Sequence, residues 1–328
     1  MGFRVKGVRG GEGDAVELRR VNVLTGCNGT FKTSILEALT ASMLVLTSPD
    51  RVQPLSIIAA TLRMDEFWLY KLLGDGFKLE IDGMEVRTAG IEELGRIKSQ
   101  SPLPPSPFTR IAMVEKGGEA KGFLRVDATP AGMPLQQVPY FATVSRVDDA
   151  NYDFIALSTP NPLTQQFTDS LMKLVDYARA IRLFNAAFEG LEASFMGLKP
   201  DEFGRHDVVF VTRDGERPIQ YLGSGYLSLA LMALAASNGI VIYDNVELHM
   251  HPWLMEKAAK LIGGTGDVQW IITTQSGEML SSILEAADLD DVLVIESSRN
   301  RLLRTYDGEE ARRRIEELNE DLRGNCVW

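Results

Sequence analysis

The chain has 328 residues, of which 45% are hydrophobic and 24% are charged, and its formal net charge is −11. These totals fit a globular protein of one or two domains and lack the overall basic charge of a protein that binds nucleic acid over its whole surface. The most apolar stretch, residues 227–236, is too short to span a bilayer. We therefore expect a cytoplasmic protein with no membrane partner, in which Cys27 and Cys326 are reduced thiols.

The N-terminal part predicts a strand, a loop and a helix in that order. Strands are expected over residues 3–8 and 15–24, separated by a turn-rich segment. Apolar residues then recur at helical spacing over residues 32–45. The segment between the second strand and this helix contains several glycines, which makes it a candidate for anion binding.

This loop follows the phosphate-binding pattern G-x-x-x-x-G-K-[ST] at Gly26, Lys32 and Thr33 but carries Phe31 where the pattern has glycine. In such loops, backbone N–H groups wrap the phosphates and the positive end of the helix faces the anion. Lys32 would pair with the β- and γ-phosphates, and the Thr33 hydroxyl would ligate Mg²⁺. The remaining expected nucleotide contacts are Asn28, Gly29, Thr30 and Ser34. The alternative is an ordinary strand–turn–helix junction with a chance lysine.

The middle of the chain indicates little about function. Strands are predicted over residues 110–115, 123–126, 138–145 and 154–158. Apolar residues at helical spacing over residues 167–191 predict helix with a core-facing side. Since no sustained heptads occur, no coiled-coil arm is expected.

The second half contains three more candidate motifs. After strands predicted over 207–212 and 218–221, Gly223-Ser224-Gly225 opens an apolar helix that ends at Asn238-Gly239. An apolar strand over 240–243 then ends at Asp244, which is typical of a Walker B strand that delivers a carboxylate to Mg²⁺. A further buried strand over 268–273 ends in Thr-Gln-Ser.

The order of these motifs resembles the ABC-type P-loop ATPases of the SMC/RecF-like, overcoming-lysogenization-defect-like (AAA ATPase) branch, over residues 1–45 and 205–300. The resemblance implies an α/β fold, with a mixed, mainly parallel sheet, flanking helices, an antiparallel β subdomain and no arm. The implied division is a nucleotide-binding core (1–50 and 205–305), an inserted lobe (51–204) and a C-terminal helix and tail (306–328).

The resemblance also implies ATP and Mg²⁺ as cofactors and an ATP-dependent pair of heads. In that family the signature serine of one head contacts the γ-phosphate held by the other, so Ser224 and Gly225 would complete a partner's site. The partner would be a second copy or a homologous head, and DNA or an effector protein is left open as a further partner. A flexible turn with a serine N-cap is the alternative for this motif.

Three positions depart from the family pattern. Asn245 replaces the usual catalytic glutamate, Gln275 replaces the switch histidine, and Phe31 replaces the last loop glycine. Asparagine orients water but cannot take its proton, so we expect slow hydrolysis in which Glu247 substitutes as the base. Alternatively, Glu247 caps the loop before His249 and His251.

For the two histidines we favour a structural role over a metal site. The family's Q-loop glutamine is expected among Gln100, Gln136 and Gln137, which we leave unranked. A charged helix over 309–323 predicts a solvated face. Two functions remain: a slowly hydrolysing ATPase switch in DNA repair, chromosome handling or mobile-element defence, or a degenerate, non-hydrolysing subunit that regulates an active homologue.

Overall fold

A computed structural model describes residues 1–8, 15–27, 29–47, 66–96, 106–128, 140–145, 147, 152, 154–157, 176–190, 193–200, 206–237, 239–298 and 303–323. Asn28, Asn238 and the Q-loop candidates Gln100, Gln136 and Gln137 lie outside these ranges. Within them, the strands form three sheets and helices cover both faces of the central one.

The strands are β1 (Gly2–Val8), β2 (Ala15–Glu17), β3 (Val21–Gly26), β4 (Phe77–Ile81), β5 (Met84–Ala89), β6 (Thr109–Lys116), β7 (Glu119–Ala128), β8 (Tyr140–Ser145), β9 (Phe154–Leu157), β10 (Ser194–Pro200), β11 (His206–Thr212), β12 (Gly215–Pro218), β13 (Ile240–Tyr243), β14 (Gln269–Thr273), β15 (Val292–Ser297) and β16 (Leu303–Asp307). The α-helices are α1 (Lys32–Leu46), α2 (Glu66–Asp75), α3 (Tyr177–Ala187), α4 (Ser224–Ala235), α5 (Pro252–Gly264), α6 (Gly277–Ala286) and α7 (Gly308–Glu316).

The central sheet has the strand order β16-β15-β3-β14-β13-β9. All its pairings are parallel except that of β16 with β15. Strands β3 and β13 are buried along their whole length, as expected for a parallel sheet covered by helices on both faces. Because β3, β13 and β14 run in the same direction, their carboxyl ends meet at one edge, where α/β proteins place ligands.

Helix α1 lies between the central sheet and the antiparallel sheet β2-β1-β4-β5-β6-β7-β8. Its residues are buried on all sides, with Thr33 as the exception, which suits a helix enclosed by two sheets. Helices α3 to α6 cover the opposite face of the central sheet, where α4 is similarly enclosed. The three-stranded sheet β10-β11-β12 packs beside α3 through stacked rings that include Phe184 and Phe210. The predicted mixed α/β fold class is confirmed.

Two predicted strands have different limits in the structure. The single strand predicted over 15–24 is wrong, since β2 and β3 belong to different sheets. Asn22, the second residue of β3, closes the turn between the two strands, accepting from the Arg19 backbone N–H at 2.8 Å and donating to the Arg19 carbonyl at 2.7 Å. The strand predicted over 218–221 is a 3₁₀ turn from Ile219, because Pro218 has no N–H with which to continue the ladder.

The charged helix predicted to reach residue 323 is also shorter than expected. Helix α7 ends at Glu316, and Asn319 adopts a left-handed conformation with φ 52°. Arg314 donates to Glu320 at 2.8 Å and so closes the chain back on the helix. The exposed ion pairs of this helix, such as Arg312 with Glu316, fit the predicted solvated face.

The division into a core and an inserted lobe stays a prediction. Strand β9 falls in the range assigned to the lobe but pairs with β13 in the central sheet. Among the described helices, α1 is the longest at 15 residues, so these ranges contain no coiled-coil arm. None of the described helices combines the length and the apolar character needed to cross a bilayer.

Candidate functional site

The loop between β3 and α1 is held tightly at both ends. Gly26 has φ 144°, and a Cβ there would lie 2.4 Å from the Ser297 carbonyl oxygen, so the position requires glycine. The Thr30 hydroxyl donates to the Cys27 carbonyl at 2.8 Å, and the Ser297 hydroxyl donates to the Thr30 carbonyl at 2.5 Å. The end of β15 therefore supports the loop from the side.

Phe31 occupies the position where the loop pattern has glycine, and it adopts a glycine-like conformation. Its backbone is left-handed, with φ 52° and ψ 25°, directly before α1. A non-glycine residue in this region costs roughly 1–2 kcal/mol. The ring packs against the hydrophobic cluster around α1, so the backbone keeps the shape of the loop and the side chain turns toward the core.

Lys32 is curled into the loop. Its Nζ donates to the carbonyl oxygens of Gly26 at 2.8 Å and Cys27 at 2.9 Å, and the side chain is almost fully buried. Burial lowers the pKa of Lys32 below its ordinary value, and the charges of Asp244 and Glu247 partly oppose that shift. A buried ammonium group therefore lies at the centre of the loop.

Asp244, at the end of β13, lies against this loop. Its carboxylate accepts from the Thr33 hydroxyl at 3.0 Å and from the Thr273 hydroxyl at 2.6 Å. The Thr273 hydroxyl in turn accepts from the backbone N–H of Asn245 at 2.7 Å. Three strand ends thus place a carboxylate, two hydroxyls and the Lys32 ammonium in one site. The role of Thr273 was missed from the sequence, although a polar residue closing a buried strand is a usable signal.

The three candidate catalytic residues also meet. The Gln275 side-chain amide donates to the Asn245 side-chain oxygen at 3.3 Å, and the Gln275 backbone N–H donates to Glu247 Oε1 at 2.8 Å. The other oxygen of Glu247 is buried and has no hydrogen-bond partner among the described residues. Asn245 is left-handed with φ 54°, a conformation that asparagine tolerates better than most residues.

The glycine-serine motif begins α4. Gly223 is the N-cap and makes no side-chain cap bond, so the alternative interpretation of this motif as a serine N-cap is wrong. Ser224, the first residue of the helix, is exposed. Gly225 is buried, and a Cβ there would lie 2.7 Å from the His249 carbonyl oxygen. The start of α4 therefore packs directly on the loop that follows Asp244.

His251 has a structural role, as predicted. Its Nδ1 accepts from the Trp253 amide at 3.3 Å and caps α5. No group of three or more metal-ligand side chains is found in the described part of the chain. His249 is exposed.

Three further predicted nucleotide contacts lie in or next to the loop between β3 and α1. Gly29 has φ 79°, Thr30 is buried, and Ser34 lies in the first turn of α1.

The expectation of reduced thiols is wrong at Cys27, which is disulfide-bonded; Cys326 lies outside the described residues. Cys27 Sγ lies 3.6 Å from the Arg323 carbonyl oxygen. No pattern in the sequence indicates that residues near 323 adjoin the loop between β3 and α1.

The loop between β3 and α1, Asp244 and the glycine-serine start of α4 meet around one edge of the parallel sheet. The described chain has a mixed α/β fold with a mainly parallel central sheet. No family model matches the sequence, and no curated protein matches it.

Among solved structures, the chain is similar over nearly its full length to SMC head domains. An SMC head bound to the C-terminal winged-helix domain of ScpA shares 14% identity at a TM-score of 0.47, covering 95% of this chain and 98% of that one. The Pyrococcus furiosus SMC head has an extended coiled coil and is bound to the C-terminal domain of ScpA. It shares 10% identity with this chain at a TM-score of 0.48, and the match covers 98% of this chain and 100% of that one. The Thermotoga maritima SMC head shares 15% identity at a TM-score of 0.40, and the match covers 93% of this chain and 97% of that one.

Proposed function

We propose that this protein binds ATP with Mg²⁺ in the loop between β3 and α1, hydrolyses it slowly, and pairs two heads around the bound nucleotide. The observation that carries the proposal is the contact between the Thr33 hydroxyl and the Asp244 carboxylate, 3.0 Å apart beside the buried Lys32 ammonium. Lys32 and Thr33 come from one stretch of sequence and Asp244 from another, and the fold brings them together as phosphate and Mg²⁺ binding requires.

The residues present fit a magnesium-bound nucleotide. Mg²⁺ prefers oxygen ligands and is usually held by one or two carboxylates together with substrate phosphates and water. Thr33 and Asp244 supply the hydroxyl and the carboxylate, and when bound the ion would neutralise charge on the phosphates. Lys32 would exchange its two carbonyl partners for phosphate oxygens.

Slow hydrolysis follows from the groups beside Asp244. Asn245 has no proton-accepting group at neutral pH. The buried, unpartnered oxygen of Glu247 makes this carboxylate the candidate base, with Asn245 and Gln275 orienting the water. A positioned base contributes roughly 10²–10⁴-fold to a rate, so a base displaced from the usual position leaves turnover low.

A specific observation also supports the second function, a non-hydrolysing regulatory subunit. The side chains of Asn245 and Gln275 are hydrogen-bonded to each other, so both positions that usually act in hydrolysis are occupied by mutually paired amides. Such a subunit would bind ATP and lend Ser224 to an active partner. Turnover by the isolated chain decides between the two functions.

Head pairing is supported by the exposure of Ser224 at the first position of α4. A helix N-terminus attracts anions because its backbone N–H groups and dipole point outward. The partner would be a second copy or a homologous head. A role in DNA repair, chromosome handling or mobile-element defence, with DNA or an effector protein bound, stays a prediction.

The test combines ATP binding, turnover with Mg²⁺, and sizing chromatography with and without ATP, for wild type, Lys32→Ala and Ser224→Arg. We expect Lys32→Ala to weaken ATP binding by about 100-fold, since it removes a buried charge. Ser224→Arg should keep ATP binding and lose ATP-dependent pairing. Arg312→Gln, on the exposed face of α7, is the control. Equal ATP binding by wild type and Lys32→Ala would sink the proposal.

A further inference from the structure

The last described residues of the chain lie against both loops of the phosphate site. The Arg323 carbonyl oxygen lies 3.6 Å from Cys27 Sγ in the phosphate loop. The Arg323 Nη1 donates to the Gln275 carbonyl at 3.5 Å. Its guanidinium also lies beside Gly277, where a Cβ would be 3.9 Å away. Arg323 therefore spans the phosphate loop and the loop between β14 and α6.

This position is built into the fold. The neighbouring residue, Leu322, is buried at 4% exposure in the hydrophobic core that includes helices α4 to α6. Leu322 anchors the segment and so holds Arg323 beside the loop between β14 and α6. A surface arginine without such an anchor would sample many positions.

The electrostatics of the site favour a further cation. Burial lowers the pKa of Lys32 and the charges of Asp244 and Glu247 oppose that shift, so two carboxylates act on one ammonium group. The magnesium complex of ATP is itself an anion, and each added negative charge raises the repulsion in a partly desolvated site. A guanidinium at the rim would offset that repulsion.

We propose that Arg323 is a phosphate-binding residue, which Asp321 holds in reserve when no nucleotide is bound and which exchanges that carboxylate for nucleotide phosphate. This proposal rests on the proposed ATP site. The Arg323 Nε and Nη2 each donate to Asp321 at 2.7 Å, a bidentate arrangement that matches phosphate as well as carboxylate.

Exchange of the Asp321 carboxylate for nucleotide phosphate costs Arg323 little. The Arg323–Asp321 pair is about half exposed, with 44% and 54% of the side chains accessible, and exposed ion pairs contribute little to stability. Asp321 accepts both of these guanidinium hydrogen bonds and so competes with nucleotide phosphate for Arg323, and the same pairing lowers the pKa of its carboxyl group. Removing the competitor should therefore strengthen nucleotide binding, and removing the arginine should weaken it.

The experiment measures equilibrium binding of a ribose-labelled fluorescent ATP, with Mg²⁺, to wild type, Arg323→Gln, Arg323→Lys, Asp321→Asn and Arg312→Gln. We expect about tenfold weaker binding for Arg323→Gln, the size of one lost hydrogen bond to a charged group, and an intermediate value for Arg323→Lys. Asp321→Asn should bind a few-fold more tightly, and Arg312→Gln should match wild type. Melting curves check folding, and a dithiol reductant is added in a parallel series because Cys27 is disulfide-bonded.

Opposite effects of the Asp321 and Arg323 substitutions support the proposal. Equal weakening by both would assign the pair a purely structural role and overturn it, as would wild-type affinity for Arg323→Gln. Comparison with Lys32→Ala separates the two proposals. If wild type binds ATP, Lys32→Ala loses that binding and Arg323→Gln keeps it, only the role of Arg323 is overturned. If wild type does not bind ATP, both proposals are overturned.

Discussion

Asp244 and Asn245 are adjacent in sequence, yet they belong to halves of the site with different chemistry. On one side, Asp244 connects Thr33 and Thr273 through charge-assisted hydrogen bonds beside the Lys32 ammonium. On the other side, the Asn245 side-chain oxygen accepts a hydrogen bond from the neutral side-chain amide of Gln275. On the proposed function, the binding half has the charged groups that Mg²⁺ and phosphate need, whereas the hydrolytic half contains a pair of neutral amides. Nucleotide binding and hydrolysis should be separable by single substitutions.

The largest effect should come from the binding half. Asp244→Ala removes a carboxylate that is 5% exposed and leaves two hydroxyls without their acceptor. We expect ATP binding in the presence of Mg²⁺ to weaken by at least about 100-fold, the usual size of losing one partner from a buried charged cluster. Titration calorimetry with and without Mg²⁺ measures this change.

Asp244→Asn is the matched variant, because it keeps the shape of the side chain and removes the charge. It should also lose the Mg²⁺-dependent part of the affinity. Wild-type affinity in this variant would show that the carboxylate charge does not hold the ion, and the distinction between the two halves would fail.

The hydrolytic half should respond in the opposite direction. Asn245→Glu restores a carboxylate that can still accept from Gln275, and we expect turnover to rise by about 100-fold while ATP affinity stays unchanged. The price is a left-handed glutamate, which costs roughly 1 kcal/mol of folding stability. Steady-state phosphate release and thermal melting measure the two changes.

Asn245→Gln controls for side-chain length and for the left-handed backbone, since it carries the same strain and no base. Its melting temperature should equal that of Asn245→Glu, and its rate of ATP hydrolysis should not exceed that of wild type. A rise in turnover in both variants would mean that relief of the amide pair, rather than the new base, accelerates the reaction.

The smallest effect concerns the backbone that both halves share. At position 31 glycine should give a more stable protein than alanine by about 1 kcal/mol, the reverse of their usual helical order, because φ is 52° there. Chemical denaturation of Phe31→Gly and Phe31→Ala tests this. Since both variants lose the ring, their difference reports the backbone alone. A more stable alanine variant would contradict the left-handed assignment.

The sequence predicted the local structure around this site well. A strand, a loop and a helix follow one another around Lys32, and the apolar strand ending at Asp244 can be recognised by its composition. Parallel strands also predict that these carboxyl ends meet. What the sequence could not show were contacts between distant residues, such as Asn245 with Gln275 or Arg323 with Cys27, because no local spacing encodes them.

Backbone conformation was a second source of error. Phe31 reads as a mismatch to the loop pattern, yet its left-handed backbone reproduces what glycine provides and its ring packs on the core. The alternative of a serine N-cap failed for a similar reason, since the cap lies one residue earlier, at Gly223. In both cases the residue type was read correctly and its φ and ψ angles were unknown.

The close approach of Gly225 to the His249 carbonyl has a mechanical consequence. With no side chain between them, the start of α4 and the loop after Asp244 have little room to slide independently. A rearrangement of that loop on binding or losing phosphate would shift the first turn of α4 with it. Ser224, at the outer end of that turn, would then move with it, which would couple the proposed nucleotide site to the proposed pairing surface.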